Sequence, residues 1–174
     1  AVNSGTSALH IACMSLDIKK NDIVWTSANS FVASINCAKY LGAKVDFIDI
    51  DKQTYNLSID NLKKKLLAAK KNNKLPKLII VVHLAGLPVD PLKLKSLSKR
   101  YKFKIIEDAS HAIGGRYKNK PIGNCNYSDI TVFSFHPVKI ITSGEGGMAL
   151  TNSKELTNKM KMLRNSGITR DKKQ

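Results

Sequence analysis

The chain has 174 residues, 43% of them apolar and 6% aromatic, with 29 Lys+Arg against 13 Asp+Glu, three Cys, ten Gly and five Pro. That length and apolar fraction are enough for one domain with a real core, which excludes disordered, collagen-like and disulfide-scaffold chains. No apolar run approaches the roughly 18 residues of a membrane span, because Leu78 to His83 is only strand-sized; no membrane partner is expected.

The formal charge of +16 raises the question of nucleic acid, since clustered cations bind phosphate backbones by releasing counterions. The lysines, however, are spread along the chain with short runs at Lys63-Lys64-Lys65 and Lys70-Lys71, arginines are few, and aromatics do not interleave with the cations as a base-stacking platform requires. Solvated helix faces account for the charge better, so no nucleic-acid partner is expected. The opening Ala1-Val2-Asn3-Ser4-Gly5 has neither an initiator Met nor the order of a signal peptide, and is read as the start of a piece cut from a longer protein. Cys13, Cys37 and Cys125 are odd in number and widely spaced, which indicates neither a disulfide framework nor a cysteine-rich zinc site; no metal is expected, and a reducing cytoplasm is the simplest compartment.

In chain order, the apolar pattern predicts a helix from Thr6 to Ser15, a strand at Ile23 to Thr26, a helix from Phe31 to Leu41 and a strand at Lys44 to Ile48. Ser58 is placed to cap a helix running to Lys71, and Leu78 to His83 forms a buried strand. Asp90 opens a helix ending near Arg100, followed by strands at Lys104 to Ile106, Asp129 to Ser134 and Gly147 to Thr151, and a last helix capped by Ser153. This alternation predicts one α/β domain over residues 1–174, a mainly parallel sheet with helices on both faces and ligands beyond the carboxyl ends of the strands.

Three polar segments fall at such ends. Asn3-Ser4-Gly5-Thr6-Ser7 leads into a helix, where a glycine and unpaired first-turn amides suit a phosphate, although Ser and Thr also serve as ordinary caps. Glu107-Asp108-Ala109-Ser110-His111 follows an apolar strand; a carboxylate there holds a cation or protonated heterocyclic nitrogen, or else simply caps a helix. Thr131-Val132-Phe133-Ser134-Phe135-His136-Pro137-Val138-Lys139 delivers a lone lysine among apolar neighbours, where burial would favour an amine nucleophilic toward carbonyls.

These segments, and most specifically Phe133 to Lys139 with Gly144-Glu145-Gly146-Gly147, resemble the DegT/DnrJ/EryC1/StrS aminotransferases over essentially all of the chain. Glu107 to Tyr117 and Ser166-Gly167-Ile168-Thr169-Arg170-Asp171 are most similar to the branch that aminates a UDP-linked 4-keto-6-deoxy-N-acetyl sugar for pseudaminic acid. The resemblance implies part of the large domain of a fold-type-I enzyme using pyridoxal 5'-phosphate, with an amino-acid donor, expected to be glutamate, and a homodimer in the full-length protein. It implies that Lys139 forms the Schiff base and moves the proton, that Asp108 faces the pyridine nitrogen, and that His111 lies near the phenolic oxygen. Phe31 matches the aromatic that stacks on the ring, while Gly5, Thr6, Ser7 and Ser134 match the phosphate site. The amino-terminal substrate segment and carboxyl-terminal small domain are missing from the resemblance, so the 174 residues alone are expected to be inactive. Lysine at position 139, rather than histidine, favours amino transfer over the dehydration run by a related branch. The alternatives are a non-catalytic relative of the same fold, regulatory or scaffolding, and a basic nucleic-acid-binding domain. His83 either lines the pocket or is structural, His10 has no expected role, Glu145 either orients the lysine loop or accompanies its glycines, and Arg170 either binds a substrate anion or frays at the surface.

Overall fold

The computed structural model describes residues 1–168; the readings made for Thr169, Arg170 and Asp171 lie outside the described residues. Among the described residues, eight strands and five α-helices follow one another as α1 (Gly5–Ser15), β1 (Ile23–Ser27), α2 (Ala33–Lys39), β2 (Lys44–Ile48), α3 (Ile59–Lys71), β3 (Leu78–Val82), α4 (Pro91–Tyr101), β4 (Lys104–Asp108), the short β5 (Arg116–Tyr117) and β6 (Lys120–Pro121), β7 (Ile130–Ser134), β8 (Gly147–Leu150) and α5 (Lys154–Arg164). The main sheet has the order β2-β1-β3-β4-β7-β8. All its pairings are parallel except β7 with β8.

The side-chain period of two sorts the core onto the two faces of the sheet. In β3, Leu78 and Ile80 pack toward α1, α2 and α5, while Ile79 and Val81 pack toward α3 and α4. The same alternation at the end of β4 sends Glu107 and Asp108 to opposite faces: Glu107 reaches Thr131 and Ser128, and Asp108 reaches Ser34 on α2. Both faces of the central strands are therefore dry, which is why Leu78 to Val82 reads as an unbroken apolar run.

The helix starts follow their caps. Ser4, Ser58, Asp90 and Ser153 each accept a hydrogen bond from a first-turn amide of the helix they precede. The expected start of α2 at Phe31 is corrected to Ala33: Val32 at its cap position offers no side-chain acceptor, and Phe31 stays in the preceding loop. The β5–β6 hairpin is an addition to the expected elements. Its turn residues Lys118 and Asn119 both have positive φ (46° and 63°), the geometry of a type I′ turn without the Asn-Gly pair that signals it.

Two features shape the carboxyl end of the sheet. The order of connection reverses beside β1, between β2 and β3, which leaves a crevice at the carboxyl ends of the strands. The loop 135–146 between β7 and β8 folds back over that end, closed at its base by Phe135 N–H donating to Gly146 O at 2.9 Å. At the same end, the amino terminus of α1 is wedged against β7 and β8. A Cβ on Gly5 would lie 2.8 Å from Ser134 Cβ, and one on Gly147 would collide with the Ser4 carbonyl and lie 2.7 Å from Gly5 N.

Gly147→Ala must push the start of α1 away from the sheet. It is expected to destabilise the full-length protein by about 1–3 kcal/mol, read by urea unfolding; unchanged stability would contradict this packing.

Candidate functional site

The crevice widens into a cavity of about 560 Å³, built from the first turn of α1 (Gly5, Thr6), the loop after β1 (Phe31), the ends of β4 and β7 (Asp108, Ser134) and the loop that bears Lys139. His111, just past β4, lines it as well. Gly5, Thr6, Phe31, Asp108, His111, Ser134 and Lys139 all reach this cavity, as their predicted roles require; the remaining residue predicted for the cofactor site is Ser7. Its amide donates to Ser4 Oγ at 3.1 Å and its hydroxyl to Asn3 Oδ1 at 2.6 Å, so it completes the cap of α1 and does not line the cavity.

Asp108 is 5% exposed. Its Oδ2 accepts from Ser34 Oγ at 2.7 Å, and its Oδ1 accepts from Ser110 Oγ at 2.6 Å and Ser110 N at 3.2 Å. A buried carboxylate needs such donors. They also fix its orientation, and each oxygen can accept more than one hydrogen bond. Ser34 is itself held by Ser30 Oγ at 2.8 Å. Ser110 is legible locally, as the i+2 partner of an aspartate in a turn; Ser34, 74 residues away from Asp108, carries no sequence signal beyond a small polar residue among the apolar positions of α2.

Lys139 Nζ lies 3.0 Å from His111 Nε2. The other ring nitrogen, Nδ1, accepts from Ala85 N at 3.3 Å. Desolvation and the nearby Lys139 cation push the His111 imidazole below its usual range, and Asp108 opposes them only in part. His111 therefore stays neutral near pH 7. The expectation that Lys139 is buried among apolar neighbours is corrected. Val138 and Ile140 are 77% and 68% exposed, whereas Lys139 is half-buried and lines the cavity, with Val138 beside it at the rim. Phe31, 72% exposed, stands at the cavity wall with its ring uncovered.

Two histidines divide between site and scaffold. His136 lines the cavity, its Nε2 lying 3.7 Å from Oε1 of Glu145, another lining residue. Its Nδ1 accepts from Val138 N at 3.3 Å, so the pair ties together the two limbs of the lysine loop. His83 is structural. It lies on the opposite face of the sheet from the cavity, its Nε2 3.6 Å from Glu107 Oε1 and its Nδ1 accepting from Val89 N. Burial pushes the Glu107 carboxyl up, but the His83 imidazole and the hydroxyls of Thr131 and Ser128 outweigh it and hold it below the usual range.

Comparison with known proteins agrees with this geometry. The model of the DegT/DnrJ/EryC1/StrS aminotransferase family matches residues 1–174. A UDP-4-amino-4,6-dideoxy-N-acetyl-beta-L-altrosamine transaminase from Campylobacter jejuni strain 81-176 is 44% identical over 169 residues, which is 97% of this chain and 43% of the relative. Among solved structures, Helicobacter pylori PseC, an aminotransferase involved in the biosynthesis of pseudoaminic acid, superposes with a TM-score of 0.85 at 32% identity, over 99% of this chain and 45% of that one. NtdA from Bacillus subtilis, solved with bound cofactor PMP, gives 0.80 at 31% identity, over 92% of this chain and 34% of that one. The chain thus spans under half the length of the relatives it matches.

Glu107→Gln removes a buried negative acceptor. It is expected to cost about 1–3 kcal/mol at pH 7. Because the folded carboxyl is more acidic than the unfolded one, its stabilisation is complete above the ordinary value of 4.5 and fades as pH falls through the lower folded value. Urea unfolding at pH 7 and at about pH 4 should show the gap between variant and wild type narrowing; a constant gap would contradict the assignment.

Proposed function

This chain belongs to the DegT/DnrJ/EryC1/StrS aminotransferase family, and from that premise we propose that the full-length protein is a pyridoxal 5'-phosphate-dependent aminotransferase. It carries an amino group from an amino-acid donor, glutamate, to C4 of a UDP-linked 4-keto-6-deoxy-N-acetyl sugar, as a cytoplasmic homodimer. The observation that carries this reading is the shared cavity of Lys139 and Asp108, which His111 also lines in hydrogen-bond reach of the amine. The sugar and its nucleotide rest on the likeness to the Campylobacter jejuni transaminase and to PseC. For the compartment, no helix among the described residues is long and apolar enough to cross a membrane.

The cavity fits the cofactor on its own terms. Gly5 has no Cβ where one would press on Ser134, so the first-turn amides of α1 and the Thr6 and Ser134 hydroxyls converge on one corner. Unpaired amides at a helix start, together with the helix dipole, bind a phosphate dianion without a basic side chain. Asp108 is the group to hold a protonated pyridine nitrogen, Phe31 offers a flat apolar face to the ring, and the Lys139 amine is the group to take the aldehyde. When bound, pyridoxal phosphate supplies an electron sink that lets the C–H bond beside the transferred nitrogen ionise.

The chain's own residues then divide the work. The Asp108 carboxyl, held in place by Ser34 and Ser110, would hold a protonated pyridine nitrogen without having to reorient. With the cofactor bound, Lys139 Nζ would be the base that takes the proton from the substrate carbon beside the transferred nitrogen and hands it to the carbon on the cofactor's side of that nitrogen, and its rotatable stem would give it that reach. His111 Nε2 steadies the amine at 3.0 Å. His136 and Glu145, 3.7 Å apart, bring the two limbs of the loop together at the cavity.

Lys139→Ala is expected to lower the rate of amino transfer in the full-length protein by about three orders of magnitude or more while leaving it folded. Asp108→Asn is expected to weaken cofactor retention and turnover together. The check is the cofactor absorbance near the visible edge, which should bleach when glutamate is added to wild type and not to Lys139→Ala. Wild type that retains cofactor yet shows no spectral change with any amino-acid donor would contradict the proposal.

A further inference from the structure

The two oxygens of Asp108 are not equally engaged. Oδ1 accepts twice from Ser110, from its hydroxyl at 2.6 Å and its amide at 3.2 Å, whereas Oδ2 accepts once, from Ser34 Oγ at 2.7 Å. A carboxylate has about four lone-pair sites, shared equally between its oxygens, so the turn after β4 fills Oδ1 and leaves one acceptor position open on Oδ2. Asp108 is buried and lines the cavity, and that open position is what it offers to a donor entering there.

Ser34, which shares Oδ2, is held differently from Ser110. It is the second residue of α2, 1% exposed, on the face it shares with Cys37 and Ala38. That face packs on α1, where Cys37 Sγ lies 3.7 Å from Cys13 Sγ. A helical serine can spend its hydroxyl on the carbonyl four residues back; Ser34 sends it across the fold to Asp108, and receives from four residues back the hydroxyl of Ser30 at 2.8 Å. The protons can run only one way. A carboxylate only accepts, so the Ser34 proton points to Oδ2. Ser34 Oγ is then the acceptor for the Ser30 proton, whose other acceptor, Phe31 O, is farther away at 3.2 Å. Because Ser30 precedes Phe31, the relay also ties the loop that carries the uncovered ring to the carboxylate.

We propose that Ser34 is a positioning residue for the reaction above: supported by Ser30, it holds Oδ2 so that this oxygen receives the protonated ring nitrogen, while Ser110 fixes the other oxygen. Hydrogen bonds to a carboxylate favour its charged form, so the donor that orients Oδ2 also leaves the proton on the ring nitrogen. Ser34 is not among the residues lining the cavity and acts through Asp108. The inference rests on the reading of this cavity as a pyridoxal phosphate site.

The experiment loads full-length protein with pyridoxal phosphate carrying 15N in its ring, reads the ring-nitrogen resonance, and measures the dissociation constant of the cofactor by equilibrium dialysis. In Ser34→Ala, folded by circular dichroism, the resonance should move toward that of unprotonated pyridine. The dissociation constant should rise by about tenfold, the effect of losing one hydrogen bond to a charged group. Ser34→Thr, which keeps the hydroxyl, should restore both. Ser110→Ala, which leaves the amide on Oδ1, should move the resonance less than Ser34→Ala does. A folded Ser34→Ala protein with the wild-type resonance, or a Ser110→Ala protein whose resonance moves as far, would overturn the proposal. Were Ser34→Ala unable to fold, Ser30→Ala decides: it removes the donor to Ser34 and should move the resonance in the same direction, and an unmoved resonance overturns the proposal. Wild type that takes up no pyridoxal phosphate would sink the proposed function and this inference with it, whereas bound cofactor indifferent to Ser34 would sink this inference alone.

Discussion

Burying a carboxylate at the end of a central strand is costly unless donors replace the water it loses, and the architecture around Asp108 answers to that constraint. The side-chain period of β4 turns Asp108 toward α2, where Ser34 meets one oxygen, and the turn past the strand brings Ser110 to the other. Ser34 is buried on α2 and Ser110 sits in the turn that leaves β4, so both carboxylate oxygens are already hydrogen-bonded without a ligand. The amine of Lys139 reaches the same cavity from the loop after β7, and His111 lines that cavity within hydrogen-bond distance of the amine. An anchored carboxylate and an amine sharing one cavity are what the proposed reaction needs.

The corner proposed for the phosphate follows from close packing instead of charge. Gly5 and Gly147 allow the start of α1 to lie against the ends of β7 and β8, and a methyl at either position would force them apart. The protein's large positive charge plays no part there: among the described residues, no lysine or arginine other than Lys139 lines the cavity. Much of that charge sits on solvated helix surfaces, as on α3, where Lys63 pairs with Asp60.

What the amino-acid sequence makes legible divides along the range of the interactions concerned. Caps such as Ser58 and Asp90 act within a few residues of themselves, and the buried run Leu78 to Val82 declares its strand by composition, so element order is readable. Asp108 and Lys139 are readable because each stands out against an apolar strand or its continuation. The pairing of Ser34 with Asp108, and of Asn56 with the Leu84–Leu87 turn, joins residues far apart in sequence through ordinary polar side chains, and only the fold brings them together. Lys139 illustrates a subtler limit: the apolar neighbours that single it out in the sequence are largely exposed rather than buried, and only the fold shows that the amine reaches the cavity. Ser7 shows the reverse, a hydroxyl that suits a ligand by position and is used by its own helix cap.

The most direct test of the account is chemical trapping. Full-length protein purified with pyridoxal phosphate would be reduced with borohydride, digested, and mapped by mass spectrometry. The account predicts the cofactor fixed on the peptide containing Lys139, with trapping lost in Lys139→Ala. Retention of the label on another lysine, or no covalent label on a protein that has bound the cofactor, would contradict it.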